Sequence, residues 1–395
     1  MRLRDEVEEV IRAWDVYERD RGTSPVVDYD CAPAPAVAPA SSRFDVQRRL
    51  AGLLTQAERS GDQACAIQVH AHLAYLAALL GERIPLNDYV LATQGCPAAG
   101  WPEDYVTEAG DRARGALAEL DVSWDADTAS RLDEVEGQVD GADAPEMIRT
   151  AARDMEPKVR ALAGTDAPYN LTIETAEVDA YWAYWLDGVG QDVRLRFNLR
   201  NAAFTKVRIR QFAQHEILGH ALQYATYAAR ADGVPWPRLL SVHLPHQVLC
   251  EGLAQAMPLF ISPDDTALIA RARLDHYLQL VRAELHRAIN AGATAAECAA
   301  HARARVPFWS DATIGDMLTD RALDPQLRSY LWAYPAGLDW FVNLADNADA
   351  DIVGKVFRAA YTQPLTPNDL TGLWPSGPCI GGPGAPVRLR KPPVP

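Results

Sequence analysis

The stretch Gln211-Phe212-Ala213-Gln214-His215-Glu216-Ile217-Leu218-Gly219-His220-Ala221-Leu222-Gln223 lies inside a segment of helical hydrophobic spacing, about Thr205 to Ala231. It constrains the chain more than any other. Two histidines four residues apart share a helix face and can grip one metal ion, with an intervening glutamate as general base. Here the second histidine arrives one residue late, at His220 rather than 219. Five steps of a regular α-helix turn roughly 500°, which would splay the two rings by about 140°. One inserted residue held in a single π-type turn restores the common face, and such bulges occur mostly at functional sites. Gly219, within the interval, tolerates the unusual backbone angles such a turn imposes. The spacing predicts a locally distorted helix that presents His215, Glu216 and His220 together.

Two histidines do not complete a catalytic metal site. The segment His246-Gln247-Val248-Leu249-Cys250-Glu251-Gly252-Leu253-Ala254-Gln255-Ala256-Met257 follows Pro245 and precedes Pro258, which suits a helix from about 246 to 257. Glu251 sits among Val248, Leu249, Leu253 and Ala254, where an acid is costly unless it is paired or bound to metal. His215, His220 and Glu251 together make a three-ligand zinc site with an open position for water. Manganese or cobalt would suit the same ligands.

The remainder bounds the setting. The chain of 395 residues is long enough for one large domain or two smaller ones. Its net charge of −15 argues against nucleic acid or an anionic membrane as partner. No apolar run approaches the roughly 20 residues needed to span a bilayer. The charged start lacks the apolar core of a secretory signal, so a cytoplasmic location is expected. Six cysteines stand apart without C-x-x-C spacing, which suggests buried thiols rather than disulfides or structural zinc. Cys250 stands out because it adjoins Glu251.

Taken in order, residues 1–40 read as a charged helical arm followed by the Pro/Ala linker 31–40. Residues 41–164 form an N-terminal helical half, with helices expected at about 41–60, 62–80, 102–120, 127–138 and 145–163. His70 and His72 are two residues apart on one helix and cannot chelate together. Residues 165–374 form the metal-binding half. It opens with Tyr169-Asn170-Leu171-Thr172-Ile173 and Val193-Arg194-Leu195-Arg196-Phe197-Asn198-Leu199, which alternate as half-buried strands do. The aromatic cluster Tyr181-Trp182-Ala183-Tyr184-Trp185 lies between them. A small antiparallel sheet beside the metal-binding helix is expected, with two alternatives for it: an edge that pairs with an extended peptide, or an aromatic-rich core with no ligand. Helices follow from about 262 to 289, from the Thr294-Ala295-Ala296-Glu297 capping box, from Asp324-Pro325 with a kink at Pro335, and at 351–361 and 367–373. Residues 375–395, rich in Pro and Gly, read as a flexible tail. The fold class is mainly α.

The motif His215-Glu216-x-x-Gly219-His220 resembles the H-E-x-x-G-H helix of the dipeptidyl peptidase III family, with Glu251 matching its downstream glutamate ligand. Cys250 and Gln255 replace flanking acids of that family. A broader resemblance, over about residues 165–372, is to the domain-of-unknown-function 885 family of zincin-like bacterial proteins. Its helix reads H-E-x-x-P-G-H-x-L-Q and its second motif E-G-W-A. The counterparts are His215, Glu216, Gly219, His220, Leu222 and Gln223, then Glu251, Gly252 and Ala254. Leu218 stands where that family has proline, and Leu253 where it has tryptophan. The resemblance also takes in the Phe197-Asn198-Leu199 strand and the Tyr330–Gly337 segment. It implies a helical zincin-like (gluzincin) fold with the site between two helical halves, and hydrolysis of a peptide or amide bond.

On this reading Zn²⁺ is held by His215, His220 and Glu251, and Glu216 is the general base. A donor for the oxyanion is sought, in order, among Tyr334, Tyr330 and His286. Asn198 and Gln223 are candidates for substrate contact. His243 and His246 lie near Glu251 in sequence, with support of the ligands or helix capping as their alternatives. The expected substrate is a small peptide or a small-molecule amide. Two alternatives stay open: a metalloenzyme acting on a non-peptide small molecule by amide cleavage or elimination, and a catalytically silent binding protein.

Overall fold

A computed structural model describes residues 2–177, 184–200 and 203–389. The chain is mainly helical, as its periodicity implied. Helix starts follow the capping chemistry: Ser42, Asp62, Thr205, Asp265, Thr294, Asp324 and Thr366 each accept a backbone N–H at the first turn. Two helices escape the sequence reading, Leu86–Gln94 and Asp311–Ala322. The first is only nine residues long with a mixed face. The second is capped by Ser310 but carries little apolar periodicity.

Among the described residues, two helical cores organise the body beside a third cluster around Tyr29, Tyr224 and Tyr227. The smaller one joins helices Leu3–Asp20, Arg43–Ser60 and Gln63–Leu79 around Val7, Ile11, Trp14, Leu50 and Leu76. The first helix, read as an arm, is therefore one wall of a core. The larger core runs through helices Glu103–Ala118, Ala144–Ala163, Gln247–Ile261, Thr266–Asn290 and Ala333–Asn347. The Pro/Gly-rich segment after Leu373, expected to be free, is tied down within its described part. Gly100 and Gly381, Gly384 and Gly100, and Ala385 and Ala99 are joined by backbone hydrogen bonds, and Arg287 donates to the Ala385 carbonyl. Residues 390–395 lie outside the described residues.

Among the described residues, seven short strands complete the fold: β1 (Tyr29–Asp30), β2 (Gln138–Val139), β3 (Asn170–Ala176), β4 (Tyr184–Val189), β5 (Asp192–Asn198), β6 (Phe204–Thr205) and β7 (Leu239–Leu240). Five of them form one sheet in the order β3-β5-β4-β1-β7. The expectation of an antiparallel sheet needs correction, because the sheet is mixed. β4 and β5 form an antiparallel hairpin, but β3 runs parallel to β5 and β1 parallel to β4. The reason is topological: β5 folds back between β3 and β4, so it lies alongside a strand that precedes its own hairpin. Two strands also come from outside the expected segment, at residues 29–30 and 239–240. Of the aromatic cluster, Tyr184 and Trp185 open β4, and Tyr181, Trp182 and Ala183 lie outside the described residues.

Candidate metal centre

The histidine helix begins at Lys206, where Thr205 accepts the Arg208 N–H. Its first part, Lys206–Phe212, is α-helical, Ala213–Ala221 is π-helical, and Leu222–Ala229 is α-helical again. The expected distortion is thus present, and it extends over nine residues rather than one inserted residue. In this winding, with its i→i+5 bonds, a five-residue interval returns to the same face. His215 Nε2 and His220 Nε2 stand 3.2 Å apart, with the rings nearly perpendicular at 88°.

Gly219 serves a different purpose from the one its sequence position suggested. It does not adopt positive φ. Instead, a Cβ there would stand 2.7 Å from the Ala254 Cβ on helix Gln247–Ile261. The glycine lets the glutamate helix approach the π-helix closely enough to bring Glu251 beside the histidines. A second close approach acts from the other side, where a Cβ on Gly252 would collide with the Gly337 backbone, and one on Gly337 with the Val248 carbonyl. That crossing seats helix Ala333–Asn347, and the turn before it, against Glu251. Helix Gln247–Ile261 also continues through Pro258, where a stop was expected. The proline lies three residues from the helix end, so it removes only one of the last donors.

The three ligand atoms converge. Glu251 Oε2 lies 3.5 Å from His215 Nε2 and 3.7 Å from His220 Nε2. With the 3.2 Å between the imidazole nitrogens, a circle through the three atoms has a radius of about 2.0 Å, the length of Zn–N and Zn–O bonds. Glu251 Oε2 is buried and has no hydrogen-bond donor among the described residues, whereas Oε1 accepts from Tyr330 at 2.5 Å. An orphaned carboxylate oxygen facing two imidazole nitrogens fits a cation at their common centre. His215, His220 and Glu251 form the group that could hold a metal ion among the described residues.

Around them lies a cavity of about 300 Å³, lined by Tyr184, Trp185 and Leu186 of β4, by Tyr330 and Tyr334, and by Glu216 among others. Glu216 Oε1 is 3.7 Å from His215 Nε2. Burial pushes the Glu216 carboxyl up to about 7, with His220 opposing and Glu251 adding to the shift. Burial likewise pulls His215 down to about 4, assisted by His220. Burial alone would lower His220 and raise Glu251, but their mutual attraction reverses both directions. The site thus opposes a group that favours charge to a base that resists it.

Donor counting separates the two tyrosines. Tyr330 ends helix Pro325–Tyr330, and Tyr334 opens helix Ala333–Asn347, two helices that replace the expected single kinked one. The chain breaks at Leu331 and Trp332, so Pro335 falls in a first turn, where its missing N–H costs nothing. The Tyr330 hydroxyl spends its hydrogen on Glu251, so in the 2.6 Å contact between the hydroxyls Tyr334 is the donor. Tyr334 therefore holds the hydrogen that a substrate oxygen could claim.

Other sequence candidates lie elsewhere. His286 is buried against Trp332, with ring centroids 5.7 Å apart, and does not line the cavity. Gln223 is buried and donates to the Ala360 carbonyl at 3.1 Å, which fastens helix Ala350–Ala360 to the histidine helix. Asn198 is buried at the end of β5, where its side-chain oxygen accepts the Arg200 N–H, and it too is absent from the cavity wall. His243 and His246 are buried, and His243 Nε2 meets His72 Nδ1 at 2.8 Å. Cys250 faces the tyrosine core of Tyr224 and Tyr227, and burial pushes its thiol up. Residues missed by the sequence reading include Asp28, Tyr224 and Gln247. Tyr224 was within reach of it, four residues after His220, whose ring it stacks on at 5.7 Å. Asp28, almost 190 residues away in the chain, gave no signal.

No family model matches the chain, and no curated protein does. The fold is similar to a solved structure described as "the putative lipoprotein from Colwellia psychrerythraea", with a TM-score of 0.55 at 13% identity. The alignment covers 83% of this chain and 60% of that one, so the chain spans well under two thirds of its neighbour's length. The likeness concerns the fold alone. No described helix is long and apolar enough to cross a membrane.

Proposed function

We propose that the protein is a zinc-dependent hydrolase of small peptide or amide substrates. The observation that carries this reading is the convergence of His215, His220 and Glu251 on one point, with Glu216 beside it at the floor of a cavity. When bound there, zinc supplies Lewis acidity and makes water acidic enough to attack a carbonyl at neutral pH. Glu216 takes a proton from the attacking water and returns it to the leaving amine. Tyr334 turns its hydroxyl from Tyr330 to the substrate oxygen as charge builds there. Tyr330 holds Glu251 in its liganding position. Retention of Glu216 favours catalysis over a silent binding role, because a structural zinc needs no base. The cytoplasmic setting proposed with it accords with six unpaired cysteines.

The volume of about 300 Å³ lies at the small end for ligand cavities and favours short substrates. It also gives weight to a second reading, cleavage of a non-peptide amide by the same residues. Parallel assays on a short-peptide library and on small amides separate the two.

The deciding experiment is metal content by mass spectrometry on wild type, His215→Ala and Glu251→Ala. About one zinc per chain, lost in both variants, is expected. Glu216→Gln should keep the metal and lose on the order of 10²–10⁴-fold in kcat. A wild-type chain that takes up no zinc would sink the proposal.

A further inference from the structure

We propose that the cavity receives its guest by a free amino terminus, and that Asp28 is the residue that recognises the ammonium group. The identity of the reacting bond rests on the hydrolase reading above; the recognition itself rests on separate features.

β4 is paired along its whole length with β5, from Tyr184 opposite Phe197 to Val189 opposite Asp192. On its other side β1 covers only Gly188 and Val189. Among the described residues, Tyr184–Asp187 therefore have no strand on that side, and Tyr184, Trp185 and Leu186 line the cavity. An unpaired stretch of about four residues is roughly 13 Å long, room for two or three residues of an extended guest. Such a guest lies in line with β1, at the end where β1 begins. The residue at that start is Asp28, which precedes Tyr29 and lines the same cavity.

Asp28 is held firmly and left without a counter-ion. Its backbone N–H donates to the Leu240 carbonyl and one carboxylate oxygen accepts the Val242 N–H, both at 2.9 Å. No Lys, Arg or His forms an ion pair with it among the described residues. The arginines that line a neighbouring cavity with it are committed elsewhere, Arg12 to Asp30. Arg19 pairs with Asp15 at 2.6 Å and donates to the Val27 carbonyl, while Arg194 and Arg196 share Asp187. Burial, with Asp15 and Asp187 adding to it, pushes the Asp28 carboxyl up to about 7. An arriving ammonium group supplies the missing partner.

Charge also fixes the direction of the guest. A peptide antiparallel to β4 brings its amino terminus to the Asp187 end of the slot, and so to Asp28. A parallel one would bring its carboxylate there, against a like charge. The slot thus selects peptides that enter amino end first and rejects those whose amine is blocked.

The test uses full-length, zinc-supplemented Glu216→Gln protein, which suppresses turnover, and calorimetric titration with trialanine and N-acetyl-trialanine. Trialanine should bind at least tenfold more tightly. Adding Asp28→Asn, which keeps an oxygen for the Val242 N–H, should weaken trialanine about tenfold and leave the acetylated peptide unchanged. Equal binding of the two peptides, binding of neither, or a preference that survives Asp28→Asn overturns the inference. If Asp28→Asn does not fold, the two peptides on the Glu216→Gln protein alone decide the matter. An amine preference in a wild-type chain that cleaves neither peptides nor small amides overturns the hydrolase reading and leaves this inference standing. Cleavage without the preference does the reverse.

Discussion

At the scale of single residues, the site is a set of atoms whose partners can be counted. Glu251 illustrates this: one oxygen is satisfied by Tyr330 and the other has no donor. The two tyrosines, which look alike in sequence, therefore separate in role. Tyr330→Phe removes the group that holds Glu251, and zinc affinity should fall by about 10–100-fold. Tyr334→Phe leaves Glu251 held, so zinc affinity should stay while kcat falls by roughly 10²-fold or more. Zinc titration against a competing chelator, alongside kcat on any cleaved substrate, checks both. Equal effects of the two variants on zinc affinity would contradict the assignment. The closeness of His215, Glu216 and His220 was legible because such a motif has a fixed spacing, and that of Glu251 because an acid on an apolar stripe needs a partner. Gln223 and Asn198 were not, because an amide that fastens two elements and one that faces a cavity read alike in sequence.

At the scale of elements, two glycine contacts bring three helices onto the site. Gly219 meets Ala254, and Gly252 meets Gly337. Adding a methyl group at Gly252 or Gly337 must push the helix backbones apart, since no flexible side chain can yield. Gly337→Ala should lose about 1–3 kcal/mol or more of stability and weaken zinc binding as well, because Glu251 and Tyr330 lie beside the crossing. Urea unfolding with and without zinc measures this. A variant with unchanged midpoint and unchanged zinc affinity would show that the crossing does not position the ligand. The π-helix was legible from the histidine interval, because a regular helix cannot present both rings together. Its nine-residue length was not, since where the winding relaxes depends on the packing around it.

At the scale of the whole molecule, the smaller core carries a buried histidine cluster against Trp14 and Tyr75. His72 and His243 touch each other, Tyr75 stacks on His243 at 4.0 Å, and Trp14 lies beside both imidazoles. Burial pulls His72 and His246 down to about 3, and His243 well below its ordinary value. These rings stay neutral when folded and gain protons near pH 6.5 when unfolded. The unfolded chain thus binds more protons between pH 6.5 and about 3, so their contribution to stability is present above pH 6.5 and is lost as pH falls. His246 should account for on the order of 1 kcal/mol per pH unit in that window. Urea midpoints of wild type and His246→Gln at pH 7.5 and 5.5 read out His246 together with its effect on His72 and His243, both of which it lowers. The wild type should lose more stability on acidification than the variant, and equal losses would remove His246 from the account.

The sequence by itself determined the helical class, most helix starts and the shared face of His215 and His220, because these follow from local rules: hydrophobic period, capping chemistry and the spacing of the two histidines. Only the tertiary structure decided the mixed order of the sheet, the exclusion of His286 from the cavity and the arrival of Asp28 beside β4. Each of these depends on which distant segments touch. Residues 29–30 join strands near 188 and 240 through backbone hydrogen bonds, which any sequence can make and no side-chain pattern announces.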